Sequence, residues 1–368
     1  MLPMKRRDFT KIAGLGALAM QSFPAFASIE FLKNKPSESA RIPLGLCNHS
    51  LRGMNFNAQQ LTEYAIKQKL DSVLLNTLQP LDSLEPEYLS FLSKMARDDD
   101  ISIYIGAGSI SEKSKSFSSN YGNAESLLSE GIRVAAAVGS PIVGVRIGGI
   151  DDRYMDGGIE AHMEAVIKVM KSLRQAALDA GVKFAFENHA GDLRSTELLA
   201  LINETGTDIC GALFDPANAL WAMEDPMEAL KILGSTIVCT SVRDVAIWVT
   251  QEGATFQGMA IGEGILDYPL YSKTMAELCP GVPLHVETIS NSARPTPFLK
   301  PEFWKGFPNL SAAGIIVFLN LAKNGKPQEI KNPPAGITQK NFDIELQQSE
   351  LLKSFEYLRI NCNAGLKS

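Results

Sequence analysis

The chain has 368 residues, of which 45% are hydrophobic and 21% charged, and its formal net charge is −6. This composition indicates a globular protein with an ample core, and the length admits two domains of roughly 150 residues or one barrel of about 250. An acidic surface repels phosphate backbones, which disfavours a nucleic-acid partner. The five cysteines are scattered and odd in number, which excludes a simple disulfide framework; Cys47, Cys210 and Cys239 lie in apolar runs typical of a core.

The first residues have the order of an export signal. A basic start at residues 5–7 precedes a modestly apolar stretch at 12–20, and Ala25-Phe26-Ala27 offers a small-residue cleavage site. The adjacent arginines resemble a twin-arginine signal, although Lys and Thr replace its usual Ser and Leu. The apolar stretch is shorter than the roughly 20 residues that a membrane span requires.

We therefore predict an export signal at residues 1–27, a linker at 28–41 and a periplasmic mature protein without a membrane span. The signal carries four basic residues and one acidic residue, so its removal takes the net charge from −6 to −9. The alternative is an uncleaved disordered tail.

Eight short and almost continuously apolar runs predict parallel strands that are covered on both faces. They lie at residues 42–47, 72–75, 101–106, 141–146, 182–187, 209–215, 236–241 and 282–288. Segments with helical periodicity follow them, at residues 58–69, 85–97, 124–138, 159–180, 196–205, 227–233, 268–278 and 310–323.

Eight strand–helix pairs predict an α/β fold, a (β/α)8 TIM barrel over residues 42–323. The alternative is an open doubly wound sheet, which is disfavoured because no G-x-G-x-x-G follows the first strand. Residues 324–368 are predicted to form a C-terminal extension with one helix at 342–360. This extension would cap the barrel or join two subunits of a homo-oligomer.

Polar side chains stand at the carboxyl ends of the predicted strands, where barrel enzymes carry their reactive groups. The candidates are His49, Asn76, Arg146, Glu187, His189, Asp215, Asn218, Ser241, Asp244, His285 and Glu287. The remaining histidine, His162, lies in a predicted helix and is interpreted as a solvated or packing residue.

Three of these residues are acids that we expect to converge on the barrel axis, namely Glu187, Asp215 and Glu287. Bare carboxylates repel one another and take up protons, whereas a bound cation removes the conflict. Oxygen ligands favour a hard or borderline divalent metal such as Mn²⁺, Mg²⁺ or Co²⁺. The alternative is that each acid pairs with a local base, for instance Arg146 or Arg243.

Several of these segments resemble those of the xylose-isomerase-like sugar isomerases and epimerases. FENHAGD at residues 186–192 resembles the strand-five segment of that family, and LFDPAN at 213–218 is similar to its strand-six Asp-x-x-Asn/His. GEGILD at 262–267 is similar to its Gly-x-Gly-x-x-Asp, and HVE at 285–287 to its strand-eight glutamate. The matches occur in the family's order between residues 42 and 323, and that order makes the resemblance specific.

The resemblance implies one divalent metal held by Glu, Asp, His and Glu. Three of these ligands carry over as Glu187, Asp215 and Glu287. The family's His-x-Lys-Asp at strand seven reads Ser-Val-Arg-Asp at 241–244, so Ser241 replaces the histidine. Ser241, a water or His189 would then supply the fourth ligand.

The chemistry implied by such a site is proton transfer through an enediolate that the metal stabilises. Glu187 or Glu287 would move the proton, with His189 as an alternative acid–base group. The residues expected to hydrogen-bond substrate hydroxyls are His49, Asn76, Arg146, Asn218, Asp244 and His285.

The first functional hypothesis is a metal-dependent isomerase or epimerase of a non-phosphorylated keto sugar or sugar derivative. The second is a lyase or decarboxylase acting on a 3-oxo sugar derivative, which the change to Ser241 favours. A repair-endonuclease barrel would need a histidine-rich multi-metal cluster and a basic face, and four histidines and an acidic chain disfavour both. A sugar-binding barrel without catalysis is the remaining alternative.

Overall fold

The computed structural model describes residues 41–367, so the predicted export signal and nearly all of the predicted linker lie outside the described residues. Eight parallel strands form the central sheet. They are β1 (Leu44–Cys47), β2 (Ser72–Leu75), β3 (Ser102–Ser109), β4 (Ile142–Arg146), β5 (Lys183–Glu187), β6 (Cys210–Phe214), β7 (Ile237–Thr240) and β10 (Leu284–Val286).

The sheet closes on itself and forms the predicted TIM barrel. Its strand order runs β10-β1-β2-β3-β4-β5-β6-β7, and a parallel bridge between Val242 and Val286 joins the two ends. The Val242 N–H donates to the His285 carbonyl at 2.7 Å, and the Glu287 N–H donates to the Val242 carbonyl at 2.8 Å. The strands are short and mostly apolar because the barrel interior and the surrounding helices cover both of their faces.

Helices follow the strands around the outside, in positions close to those predicted. They are α1 (Ala58–Lys67), α2 (Pro86–Asp98), α3 (Ala124–Val138), α4 (Gly158–Ser172), α5 (Arg174–Ala180), α6 (Ser195–Thr205), α7 (Pro216–Trp221), α8 (Pro226–Leu233) and α9 (Tyr268–Leu278). The single helix predicted at residues 159–180 is divided at Leu173, where φ is −92° and ψ is 2°. No helix among residues 41–367 is long and apolar enough to cross a membrane.

A second, smaller sheet stands next to the barrel strands and was not predicted. The strands β8 (Asp244–Thr250), β9 (Gly253–Met259) and β11 (Ala293–Thr296) form it, in the antiparallel order β11-β9-β8. We call it the rim sheet. It has its own apolar cluster, which includes Phe256 and Phe298.

The helix predicted at residues 310–323 begins later and belongs to this rim sheet. It is α10 (Ile316–Asn324), it contacts β8, and its buried residues Phe318 and Ala322 join the apolar cluster of the rim sheet. A helical pattern shows that a helix has an apolar face, but it does not show which sheet that face covers.

The C-terminal helix α11 (Gln339–Asn361) packs on the barrel wall after β10. Its buried residues Leu351, Phe355 and Leu358 belong to the main barrel core. The predicted C-terminal helix is therefore present, and it fills the wall position that we had given to residues 310–323. Beyond it, Ala364 forms a parallel bridge with Ile42.

We expect Phe355→Ala to lower the free energy of unfolding by about 3–5 kcal/mol, because it leaves a cavity in the barrel core. The measurement is urea unfolding followed by circular dichroism. Leu352→Ala, on the exposed side of the same helix, is the matched control and should cost less than about 1 kcal/mol. Equal costs for the two variants would show that α11 is not part of the barrel core.

Candidate active site

One cavity of about 280 Å³ opens at the carboxyl ends of the barrel strands. Small-molecule sites start at roughly 300 Å³, so the cavity suits a ligand of about the size of a monosaccharide. Its polar lining residues are His49, Asn76, Arg146, Glu187, His189, Asn218, Ser241, Arg243, Glu287 and Arg294. Eight of them were predicted as site residues from the sequence.

Three carboxylates meet at this cavity, as the alternation of strand side chains predicts; Glu187 and Glu287 line it, and Asp215 is buried next to them. Glu187 ends β5, Asp215 directly follows β6, and Glu287 directly follows β10. One oxygen of each lies within 4.8 Å of one oxygen of both others. A separation of this size allows one divalent cation to contact all three groups.

A set of hydrogen bonds fixes the carboxylates. The Asn218 amide donates to Glu187 Oε1 at 3.3 Å, and its carbonyl oxygen accepts from Arg243 Nη2 at 2.5 Å. The Ser241 hydroxyl donates to Glu287 Oε2 at 2.5 Å. The residue that replaces the family's histidine therefore holds a carboxylate of the cluster, and its role as the fourth metal ligand stays a prediction.

Asp215 has one oxygen that is satisfied and one that is not. Its Oδ1 accepts from the backbone N–H groups of Ala217 and Asn218 at 2.8 and 3.1 Å and so caps α7. Its Oδ2 is fully buried and accepts no hydrogen bond, although Arg243 Nη2 lies 2.8 Å away, because the angles are unsuitable. A buried oxygen without a hydrogen bond is costly, and a cation beside it would satisfy it. The donor set therefore fits a divalent metal.

Burial and like charge oppose full ionisation of the cluster. Burial, and then the charge of Glu287, raises the pKa of Glu187 to about 8. Burial also raises the pKa of Asp215 to about 7, even though Arg243 stabilises its charged form. For Glu287, burial raises the pKa, but the positive charge of Arg243 and the Ser241 hydrogen bond outweigh it and leave the pKa lowered. Glu287 is thus the acid of the three that stays ionised.

Two histidines face the cavity in the neutral form. His189 Nδ1 lies 2.5 Å from the Gly148 carbonyl oxygen, which can only accept, so Nδ1 carries the proton and Nε2 is an acceptor. Burial, and then Arg146, lowers the pKa of His189 to about 3. Burial likewise lowers the pKa of His49. The free Nε2 of His189 is suited to accept a proton or to bind a metal.

The structure places two predicted substrate-binding residues away from the cavity lining. Asp244 is fully buried and accepts backbone N–H groups from Val245, Gly262, Gly264 and Leu266, so it anchors the loop before α9.

His285 also lies too deep to contact a ligand in the cavity. It is fully buried in the barrel, with Nδ1 3.1 Å from the Thr240 carbonyl and Nε2 3.0 Å from Ser72 Oγ. The alternation of strand side chains gives the face on which His285 and Glu287 lie, but not their depth. His162 is a packing residue, since it is buried and its Nδ1 lies 2.7 Å from Ser111 Oγ.

Two arginines of the cavity were missing from the predicted site. Arg243 was considered only as a possible ion-pair partner, yet it lies between Asp215 and Asn218 at the centre of the cluster. Its spacing of two from Ser241 could have revealed it, because alternate residues share a face. Arg294 comes from the rim sheet, and no motif in the sequence marked it.

A barrel of eight parallel strands with a carboxylate cluster at their carboxyl ends defines the class of protein. Residues 81–303, more than half of the chain, match the model of the xylose isomerase-like TIM barrel family. The chain belongs to that family, and the resemblance seen in the sequence is confirmed.

Individual relatives are distant. The uncharacterized protein YihM of Escherichia coli K12 is 29% identical over 129 residues, which cover 35% of this chain and 38% of YihM. A 3-oxo-isoapionate decarboxylase of Pectobacterium atrosepticum is 28% identical over 88 residues, which cover 23% of this chain and 31% of that enzyme. The chain thus spans about a third of the length of these two relatives.

Among solved structures, the chain is similar to a D-psicose 3-epimerase from Clostridium cellulolyticum H10 in complex with D-tagatose. The TM-score is 0.56 at 13% sequence identity, and the match covers 87% of this chain and 99% of that one. Identity this low shows a shared fold and no more.

We expect Glu187→Gln to stabilise the metal-free protein, and increasingly so between pH 5 and pH 8. The pKa of Glu187 is 4.5 in the unfolded chain and is raised to about 8 in the folded protein. The free energy of unfolding of the wild type therefore decreases as the pH rises from 4.5 to 8, and the variant lacks this loss. The slope is at most about 1.4 kcal/mol per pH unit. The measurement is the thermal midpoint of unfolding of the variant and of the wild type at several pH values between 5 and 8.

Saturating Mn²⁺ should reduce the stability advantage of the variant. Binding at 100 times Kd stabilises the wild type by about 2.7 kcal/mol, whereas the variant has lost one ligand and gains less. If the difference in thermal midpoint between the two proteins did not change with pH, the pKa of Glu187 would not be raised by burial and by the neighbouring acid.

Proposed function

We propose that this protein is a divalent-metal-dependent enzyme that isomerises or epimerises a non-phosphorylated keto sugar or sugar derivative through an enediolate. The observation that carries the proposal is the meeting of Glu187, Asp215 and Glu287 beside a buried carboxylate oxygen without a hydrogen bond. Membership of the family and likeness in fold to a sugar epimerase support it.

The residues that would hold the metal are Glu187, Asp215 and Glu287, with the fourth position filled by Ser241, by His189 Nε2 or by water. Bound there, Mn²⁺, Mg²⁺ or Co²⁺ would supply Lewis-acid stabilisation of the negative charge that forms on the substrate oxygens. Carboxylate, hydroxyl and imidazole donors suit these hard or borderline ions.

The side chains around the cavity have distinct tasks in proton transfer. Glu187 has a pKa raised to about 8 and can give or take a proton near neutral pH. Glu287 stays ionised because Arg243 and Ser241 stabilise its charge, so it needs no deprotonation before it acts as the base. The two glutamates come from β5 and from the end of β10, on different sides of the barrel. They can therefore approach a bound sugar from different directions, as epimerisation requires.

The remaining polar residues bind and orient the sugar. His49 and Asn76 line the cavity from the ends of β1 and β2, and they offer donors to hydroxyl groups, while Arg146 at the end of β4 offers a charged donor. His189 presents its unprotonated Nε2, which can accept a hydroxyl proton or take part in acid–base transfer.

A lyase or decarboxylase acting on a 3-oxo sugar derivative is the second candidate. The stretch that matches a 3-oxo-isoapionate decarboxylase favours it, as does Ser241 in place of the histidine that the resemblance implies. Both reactions pass through the same enediolate, so the same residues serve either.

We expect Glu187→Gln and Glu287→Gln each to lower kcat by about 10²–10⁴-fold, because each removes a proton-transfer group. The assay screens keto sugars and oxo-sugar derivatives with Mn²⁺-loaded full-length protein, and EDTA should abolish turnover. Glu130→Gln, which changes a surface acid on α3, is the matched control. Unchanged turnover in both site variants would exclude the proposed mechanism.

The fate of the substrate carbon separates the two candidates. In D₂O an isomerase incorporates solvent deuterium at the carbon next to the carbonyl and loses no carbon. A decarboxylase releases CO₂ in proportion to product. Sugar binding that is insensitive to EDTA, without turnover, would instead indicate a binding protein that has lost catalysis.

A further inference from the structure

We propose that the sugar carries a carboxylate, so that the substrate is a keto sugar acid, and that Arg146 binds this group. The inference rests on the proposed function, because it names the substrate class of the same site.

Arg146 is an arginine of the cavity that makes no side-chain hydrogen bond and no ion pair with residues 41–367, although its charge acts on Glu187 at longer range. It ends β4 and lines the cavity. No carboxylate of the described chain lies within 4.0 Å of its guanidinium, and its Nε is buried without a hydrogen bond. Arg243, in contrast, is paired with Asp215, and Arg153 is paired with Glu197.

Arg146 is half-buried, and a buried donor such as its Nε is costly without a hydrogen bond, so its place in a binding cavity indicates a ligand that completes its hydrogen bonds. The planar guanidinium fork matches a carboxylate with two parallel hydrogen bonds. A sugar hydroxyl offers no negative charge to the same group.

The charges around the cavity also favour an anionic ligand. When all three acids are ionised, as metal binding requires, the charges of Glu187, Asp215 and Glu287 are matched in number by those of Arg146, Arg243 and Arg294. The divalent cation of the proposed function would leave an excess of two positive charges in the site. A neutral sugar does not compensate this excess, whereas a carboxylate and the negative charge that develops in the reaction do.

Arg294 has a lesser part in this recognition. It belongs to β11 of the rim sheet, lines the cavity and is exposed. Water screens an exposed charge, so we expect it to attract the anion more than to hold it.

A carboxylate fits the site better than a phosphate. TIM barrels commonly bind phosphate with the loops after strands seven and eight and the N-terminus of a short helix. Here Asp244, close after β7, begins the rim sheet, and the chain after β10 leads into β11 of the same sheet. The 280 Å³ cavity also leaves little room for a phosphate beside a sugar.

The test compares the binding of D-gluconate and D-glucitol. Gluconate carries a carboxylate where glucitol carries a hydroxymethyl group, and neither has a ketone or aldehyde that could form an enediolate. Isothermal titration calorimetry is done on the full-length protein, both metal-free and loaded with Mn²⁺. We expect gluconate to bind at least tenfold more tightly than glucitol in both forms. Arg146→Gln should weaken gluconate binding at least tenfold and change glucitol binding less than twofold.

Three further variants act as controls. Arg146→Lys keeps the charge and should retain part of the preference, whereas Arg294→Gln should weaken gluconate binding only about threefold. Arg133→Gln removes an arginine of the outer helix α3 and should change nothing. Circular dichroism and thermal midpoints establish that each variant is folded.

Equal binding of the two ligands would overturn the inference. A preference for gluconate that survives Arg146→Gln would also overturn it, because the carboxylate would then bind elsewhere, for instance on the metal. Tighter binding of D-glucitol 6-phosphate than of gluconate would overturn it as well. Neither ligand reacts, so the result is independent of catalysis. A gluconate preference with unchanged turnover in the two glutamate variants would leave this inference standing while the proposed function fails.

Discussion

The bridge between Val242 and Val286 closes the barrel, and the geometry of the site depends on it. It is made of two backbone hydrogen bonds in which Val242 donates to His285 and accepts from Glu287. Ser241 and Arg243 flank Val242, so the bridge brings both next to Glu287. The serine hydroxyl then donates to that carboxylate, and Arg243 reaches Asp215. Closure of the sheet and assembly of the acidic cluster thus depend on the same two backbone hydrogen bonds.

Crowding of like charges is the electrostatic consequence of this closure. Three acids lie close together at the cavity, and in the protein alone Arg243 is the cation that balances them most directly. It stabilises the charge of Glu287, while Glu187 and Asp215 keep raised pKa values. A divalent ion requires deprotonated ligands, so its binding would release protons from these two groups. The guanidinium and the proposed metal therefore act on the same excess of negative charge.

The sequence predicted the barrel strands well because parallel strands covered on both faces are continuously apolar, a pattern that needs no long-range information. It also predicted the convergence of Glu187, Asp215 and Glu287, since each stands at a strand end. The sequence did not predict how deep a side chain lies in the barrel or which distant segments pack together. His285 shares a face with Glu287 but lies deeper in the barrel, and local alternation carries no information on depth.

Other differences have the same origin. The rim sheet inserts α10 between β10 and α11, and helical periodicity cannot show which of the two helices covers the barrel. Asp244 stands at a strand end like the true cavity residues, yet it binds four backbone amides of its own chain. Only the folded loop reveals that its carboxylate is already satisfied.

The pairing of Ile42 with Ala364 joins the two ends of the described barrel and has a consequence for folding during synthesis. Until the ribosome has added residues 339–361, the space beside β10 is not covered by α11. The nascent barrel therefore keeps an uncovered apolar wall until translation of residues 339–361 is complete. Contacts of such long sequence separation form slowly, so we expect this packing to be a late step in folding.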